Sequence, residues 1–197
     1  EVTGSTFNNL LFGMNVSNPT VLDKFVNVHD GNTFMVLNVG IQLSSGQLHK
    51  ISNNNSFIPE SYSVVQPTPN PPKIEHGYGI YNRSSQRYTV QEGNSFSSKP
   101  GDLNVFGIVS ENSGDAPSLH KSNTFTLLQV GDQPQINNRG LFINCNTFHL
   151  QQQAWNVTGN FQDQGACISG PNPLELSYTP DNQFLDGATP FNPDNHI

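Results

Sequence analysis

The chain has 197 residues and a formal net charge of −7, with no Lys/Arg cluster, which argues against a nucleic-acid backbone or an anionic membrane surface as partner. Only 12% of residues are charged, and the remainder is rich in Asn, Gln, Ser and Thr, which compete for backbone hydrogen bonds and disfavour helices. The 13 phenylalanines supply core material that a disordered chain lacks, and no apolar run is long enough to span a bilayer, so one all-β domain is expected.

Taken in order, Ser5–Gly13 reads as an edge strand or the start of the first sheet, and Lys24–Asp30 as a strand closing at the turn Asp30-Gly31-Asn32. In the run from Phe34, Met35, Leu37, Val39, Ile41 and Leu43 alternate with Val36, Asn38, Gly40 and Gln42. That period of two predicts a strand with one buried face. Ser44-Ser45-Gly46 then closes a hairpin that pairs residues 33–43 with 47–51. A short strand at Tyr62–Gln66 is followed by Pro-Thr-Pro-Asn-Pro-Pro (67–72), expected to be an extended crossover between the halves of the domain because proline cannot donate to a ladder. A second hairpin joins 76–82 to 86–92 through Arg83-Ser84-Ser85. In its first strand Gly77 and Gly79 flank Tyr78, the mark of a bulge or a close backbone approach. Leu103–Val109 is a further apolar strand.

Residues 121–176 hold both cysteines and the single tryptophan. The reading is strands at 124–130, 139–145, 147–151, 154–158 and 174–178, with a polar turn at 131–138. Cys145 falls on the same face as Leu141 and Ile143, so its sulfur is expected in the core, with Cys167 its only possible intrachain disulfide partner. The sum is a single antiparallel β-sandwich or barrel over 1–180, with a polar, proline-broken tail at 181–197. Sequons at Asn15, Asn54, Asn82 and Asn156, the paired cysteines and a first residue, Glu1, that suits a mature terminus together predict a secreted protein.

Chemistry-bearing patterns are sparse. The histidines at 29, 49, 76, 120, 149 and 196 show no metal-ligand spacing, no acidic calcium loop is present, and no cofactor fingerprint appears. There is no exposed-serine elbow, and a paired sulfur cannot serve as a thiolate nucleophile. Glu60, Glu75, Glu92, Glu111 and Glu175 could supply the carboxylate pair of a glycosidase or lyase, but no motif singles out two of them. Aromatic faces beside amide side chains suit sugars, which makes Tyr78, Tyr81 and Trp155, with Tyr62 and Tyr88 behind them, the candidate ligand-binding residues.

Gly79-Ile80-Tyr81-Asn82-Arg83, followed by Gly140-Leu-Phe-Ile-Asn-Cys145, Trp155, Cys167 and Leu174-Glu-Leu, resembles the C-terminal module of fungal cell-wall proteins. These are the internal-repeat wall proteins of yeasts and the small secreted wall proteins of moulds. The chain departs from them in lacking their further cysteines and their glutamine-containing glucan-linkage repeats. The resemblance implies a secreted, glycosylated, non-catalytic wall or surface protein. Polysaccharide is the expected partner, and a carbohydrate-active enzyme or a glycan-recognising lectin or adhesin are the alternatives.

Overall fold

In the computed structural model of the protein, residues 1–17, 25–66, 71–149, 152–161 and 182–185 are described. They form successive coils of a β-solenoid. The first coil contains β1 (Val2–Thr3) and β2 (Thr6–Ser17), and the second β3 (Asn27–His29) and β4 (Thr33–Ser44). The third contains β5 (Lys50–Ser52), β6 (Ser56–Phe57), β7 (Tyr62–Val64), β8 (Lys73–Glu75) and β9 (Gly77–Arg83). The fourth contains β10 (Thr89–Gln91), β11 (Ser95–Ser97) and β12 (Val105–Glu111), and the fifth β13 (Ser118–Lys121), β14 (Thr124–Thr126) and β15 (Val130–Asn138). In the last, β16 (Leu141–Asn144), β17 (Thr147–His149), β18 (Gln153–Trp155) and β19 (Thr158–Phe161) are followed by β20 (Gln183–Leu185).

Each strand pairs in parallel with its counterpart one coil away, and the strands line three faces. The first face runs β1-β3-β5-β10-β13-β16. The second runs from β4 through β6, β11, β14 and β17 to β20, and the third from β4 through β9 and β12 to β15, which β18 and β19 flank. β2 pairs with β4 along both of these faces. Among the described strands only β7 and β8 are antiparallel, a small hairpin within the third coil.

This overturns the antiparallel sandwich or barrel. Residues 33–43 do not pair with 47–51: β4 bonds to β2, β6 and β9, while β5 lies on another face between β3 and β10. Nor does β9 pair with β10; it lies between β4 and β12. The physical reason is that each apparent hairpin turn is a corner of the coil. Ser45, Ser84, Asn112 and Ile136 occupy equivalent corners, all left-handed at φ 55 to 66°, and turn the chain onto the next face rather than back on itself.

The inside of the solenoid is built from ladders. Phe7, Phe34, Phe57, Phe96, Phe125 and Phe148 stack along the second face with ring centroids 4.6 to 4.9 Å apart and planes within 12° of parallel. Parallel registry makes this possible, since it places identical side chains one strand spacing apart. Two residues before each of these phenylalanines except Phe7, which has Ser5 there, a buried asparagine turns the corner between the first and second faces. Asn32 donates its Nδ2 to Asn55 Oδ1 at 2.8 Å, Asn55 to Asn94 at 2.8 Å, Asn94 to Asn123 at 2.9 Å and Asn123 to Asn146 at 3.1 Å. The Asn146 backbone N–H continues the series to Asn182 Oδ1 at 2.9 Å. These amides satisfy backbone groups that a sharp buried corner leaves without a strand partner.

Across the core, Gly13, Gly40, Gly79, Gly107 and Gly131 make room for the phenylalanine rings. A Cβ on Gly79 would lie 2.6 Å from both the Gly107 carbonyl oxygen and Phe96 Cδ1. The close approach expected around Tyr78 is thus one rung of a glycine ladder. Val28, Ile51, Val90 and Ile143 from the first face and Ile41, Ile80 and Ile108 from the third complete the core.

Several finer expectations change accordingly. β4 bends where it passes from the second face to the third, so its inward phase switches: Phe34 and Val36, then Ile41 and Leu43, are buried in the core, whereas Leu37 is exposed and Met35 half-buried. Residues 131–138, expected as a turn, lie in β15 with Asp132, Gln133 and Pro134 buried. Cys145 is not a core strand residue. It stands half-buried at φ 54° in the turn before Asn146, a conformation that breaks the alternation set by Leu141 and Ile143. Cys167, its expected partner, lies outside the described residues. Residues 71–72 are exposed at the mouth of the β7–β8 hairpin rather than in a crossover, and 67–70 lie outside the described residues. Within the expected tail, β20 extends the second face beside β17, while 186–197 lie outside the described residues.

One buried histidine gives the fold a pH dependence. His49, 2% exposed, accepts the Val26 N–H at Nδ1 (3.2 Å) while its Nε2 sits against Gly46 with no hydrogen-bond partner among the described residues. Burial lowers its pKa below the usual 6.5. The unfolded chain therefore binds this proton at a higher pH than the fold does, and stability falls as pH drops from about 6.5 through the lower folded value. Urea unfolding of the wild type and His49→Gln between pH 7.5 and 5 should show the wild type losing the more stability on acidification. Equal slopes would remove His49 from the account.

Candidate functional site

The outward side of the third face gathers the largest set of half-exposed aromatic rings. The sequence builds it by repetition: Phe12-Gly13, Val39-Gly40-Ile41, Tyr78-Gly79-Ile80, Phe106-Gly107-Ile108 and Val130-Gly131 stand in register, with the glycine turned inward to the phenylalanine ladder and the preceding residue outward. Tyr78 thereby meets Phe106 face to face, centroids 5.5 Å apart and planes at 24°. His76 stands edge-on to Phe106 at 5.1 Å. Tyr81 meets Tyr78 at 5.3 Å with planes at 67°, so the two tyrosines form an open aromatic corner.

Neighbouring elements hold this patch in place. The chain enters β9 so close to Glu60 that a Cβ on Gly77 would lie 2.8 Å from its carbonyl carbon. Lys99 pairs with Glu60 at 2.5 Å, and Asp102 accepts both the N–H and the hydroxyl of Ser61 at 2.8 and 2.7 Å, which ties the corner before β7 to the loop before β12. Asn38 Nδ2 donates to the His76 carbonyl at 2.7 Å. His76 Nδ1 is buried without a hydrogen-bond partner among the described residues.

The polar margin lies one row further along the same strands. The Tyr81 hydroxyl donates to Glu111 Oε2, and Arg83 Nε stands 3.8 Å from Glu111 Oε1. Burial, reinforced by the Glu111 hydrogen bond, pushes the Tyr81 pKa up to about 12, so the hydroxyl stays protonated. Tyr78 is raised as well, by burial and then by the negative charge of Glu75.

Of the expected ligand-binding residues, the fold therefore brings Tyr78 and Tyr81 together but not Trp155. Trp155 packs edge-on to Phe148 at 6.4 Å against the last coil of the core, beside Asp132 in the backbone register. Tyr62 is half-buried in β7, and Tyr88 is fully buried. Asn15 and Asn54 are exposed, and Asn156 is half-buried. Asn82 is fully buried with Nδ2 donating to Ser113 Oγ at 2.8 Å, so it faces the interior of the coil. Glu75 pairs with Lys73 at 2.6 Å, Glu92 is exposed beside Gln91, and Glu175 lies outside the described residues, as does His196. Among the described residues no three His, Cys, Asp or Glu side chains converge as metal ligands.

Sequence reasoning missed a buried polar network. His120 Nδ1 is 2.6 Å from Asp132 Oδ2, His120 Nε2 is 2.8 Å from the Tyr88 hydroxyl, and that hydroxyl is 2.6 Å from Ser110 Oγ. All four residues are fully buried, and burial holds the Tyr88 phenol well above its ordinary pKa. His120 occupies the ladder position of Val90 and Ile143, and Asp132 that of Ile108, so the network is an interior substitution in the core rather than a site that substrate can reach. The signal was available only after the coils are aligned. No family model, curated protein or solved structure matches this chain.

Proposed function

We propose that this protein is a secreted, non-catalytic β-solenoid that acts at a cell wall or cell surface by binding polysaccharide through the outward side of the third face. The open corner made by Tyr78 and Tyr81 carries the reading. Sugar rings offer C–H faces to aromatic side chains and hydroxyls to polar ones, and here the Tyr81 ring and Glu111 lie side by side on a rigid sheet. Support for a binding rather than a hydrolytic role comes from the carboxylates. Glu60 and Glu75 are each paired with a lysine and Glu111 accepts a tyrosine hydroxyl, so each carboxylate is already engaged by a protein partner. The exposed sequons at Asn15 and Asn54 support passage through a glycosylating secretory route.

Co-sedimentation with insoluble β-glucan, chitin and mannan tests the reading. The wild type should pellet with at least one of them and release no reducing sugar. Tyr81→Ala should weaken that binding roughly tenfold, the loss of about 1–1.5 kcal/mol of aromatic contact, while Tyr81→Phe keeps most of it. Release of sugar, or indifference to Tyr81→Ala, would overturn the proposal.

A further inference from the structure

On the reading that the third face binds a glycan, we infer that the glycan is a neutral polymer and that Glu111 is the residue that excludes acidic ones. Glu111 is the carboxylate at the polar margin of the aromatic corner. Its Oε2 is occupied by the Tyr81 hydroxyl, but its Oε1 faces its nearest cation, Arg83, at 3.8 Å, beyond hydrogen-bond length. Oε1 thus keeps acceptor capacity, which a sugar hydroxyl can fill and the carboxylate group of a uronate or a sulfate ester group cannot, since neither group has a proton to give. An anionic sugar seated on Tyr78 and Tyr81 would instead meet Glu111 as a like charge at short range.

The Arg83 side chain is 66% exposed and so weakly placed to offset that repulsion. The whole-molecule field points the same way, because a chain of net charge −7 repels a polyanion before contact. Elsewhere on this face the register rows carry uncharged partners: Gln42 beside Tyr81, Ser44 beside Arg83, and Gln135 beside Glu111. These amides and hydroxyls can give or accept hydrogen bonds with a neutral polyol at no electrostatic cost.

The test compares soluble β-glucan and mannan with polygalacturonate and alginate at about 20 and 500 mM salt, spanning weak and strong screening. A neutral polymer should bind with an affinity that salt leaves unchanged, and the acidic polymers should bind at least tenfold more weakly at low salt. Glu111→Gln should narrow that gap at least threefold by improving acidic binding, while Glu92→Gln, at an exposed carboxylate beside β10 on the first face, leaves the gap as it was. Acidic binding that equals or exceeds neutral binding and weakens with salt would overturn this inference while leaving the glycan-binding reading intact. Failure of every polymer to bind would overturn both.

Discussion

Phe125→Ala will cost the fold about 3–5 kcal/mol, the range for removing a buried aromatic ring from a well-packed core. Phe125 is fully buried in the middle of its ladder, 4.9 Å from Phe96 on one side and 4.9 Å from Phe148 on the other. It also fills the space opposite Gly107, whose hypothetical Cβ would meet Phe125 Cδ1 at 2.6 Å. The cavity cannot be filled from the glycine side, because glycine has no side chain to move, and the two flanking rings are fixed by their own strands. Urea unfolding should show a large fall in midpoint. Leu103→Ala, at a residue 58% exposed, should stay within about 0.5 kcal/mol of wild type. If both substitutions cost the same, the stacked rings do not hold the coils together.

The second large effect concerns His120 and Asp132, whose side chains are both completely inaccessible to solvent and 2.6 Å apart. Asp132→Ile alone leaves His120 Nδ1 without its acceptor in a dry interior, and His120→Val alone strands the carboxylate. Each single change should cost about 3–5 kcal/mol. The two together restore the aliphatic residues found one coil away, Val90 for position 120 and Ile108 for position 132. The double variant should therefore be close to neutral or more stable than wild type by about 1–4 kcal/mol. A double variant as unstable as the sum of the singles would show that the pair contributes more than mutual compensation of two buried polar groups. Asp132 Oδ1 has no hydrogen-bond partner among the described residues, which already argues that the network is incompletely satisfied.

The β-rich character of the chain was legible because short polar side chains and proline disfavour helices and because alternation over β4 is pronounced. Partner choice was not. Period-two alternation identifies a strand and its buried face but carries nothing about which strand lies beside it. Ser44-Ser45-Gly46 and Arg83-Ser84-Ser85 look the same in sequence whether they reverse the chain or turn it through a coil corner.

The signal that settles the matter is Asn-x-Phe, at Asn32-Thr33-Phe34, Asn55-Ser56-Phe57, Asn94-Ser95-Phe96, Asn123-Thr124-Phe125, Asn146-Thr147-Phe148 and Asn182-Gln183-Phe184. Its asparagines recur at separations of 23, 39, 29, 23 and 36, too uneven to register as a period. The ladder residues are constrained, whereas the corners accept insertions such as the β7–β8 hairpin. Tyr78 and Tyr81 could be named from the sequence because they are local to one strand. Phe106 could not, and Glu111 stood only as one of five candidate carboxylates, because both join the patch only through the parallel register of β9 with β12.

Unequal coils also leave a mechanical signature. Each coil bonds only to the coils on either side, so a molecule held by its two ends and stretched should come apart from an end one winding at a time rather than in a single rupture. Each detachment lengthens the tether by the contour of that winding. At roughly 3.4 Å per residue, the 39 residues between Asn55 and Asn94 correspond to about 130 Å, and the 23 between Asn32 and Asn55 to about 80 Å. The step lengths of a single-molecule force trace would then spell out the order in which the windings let go.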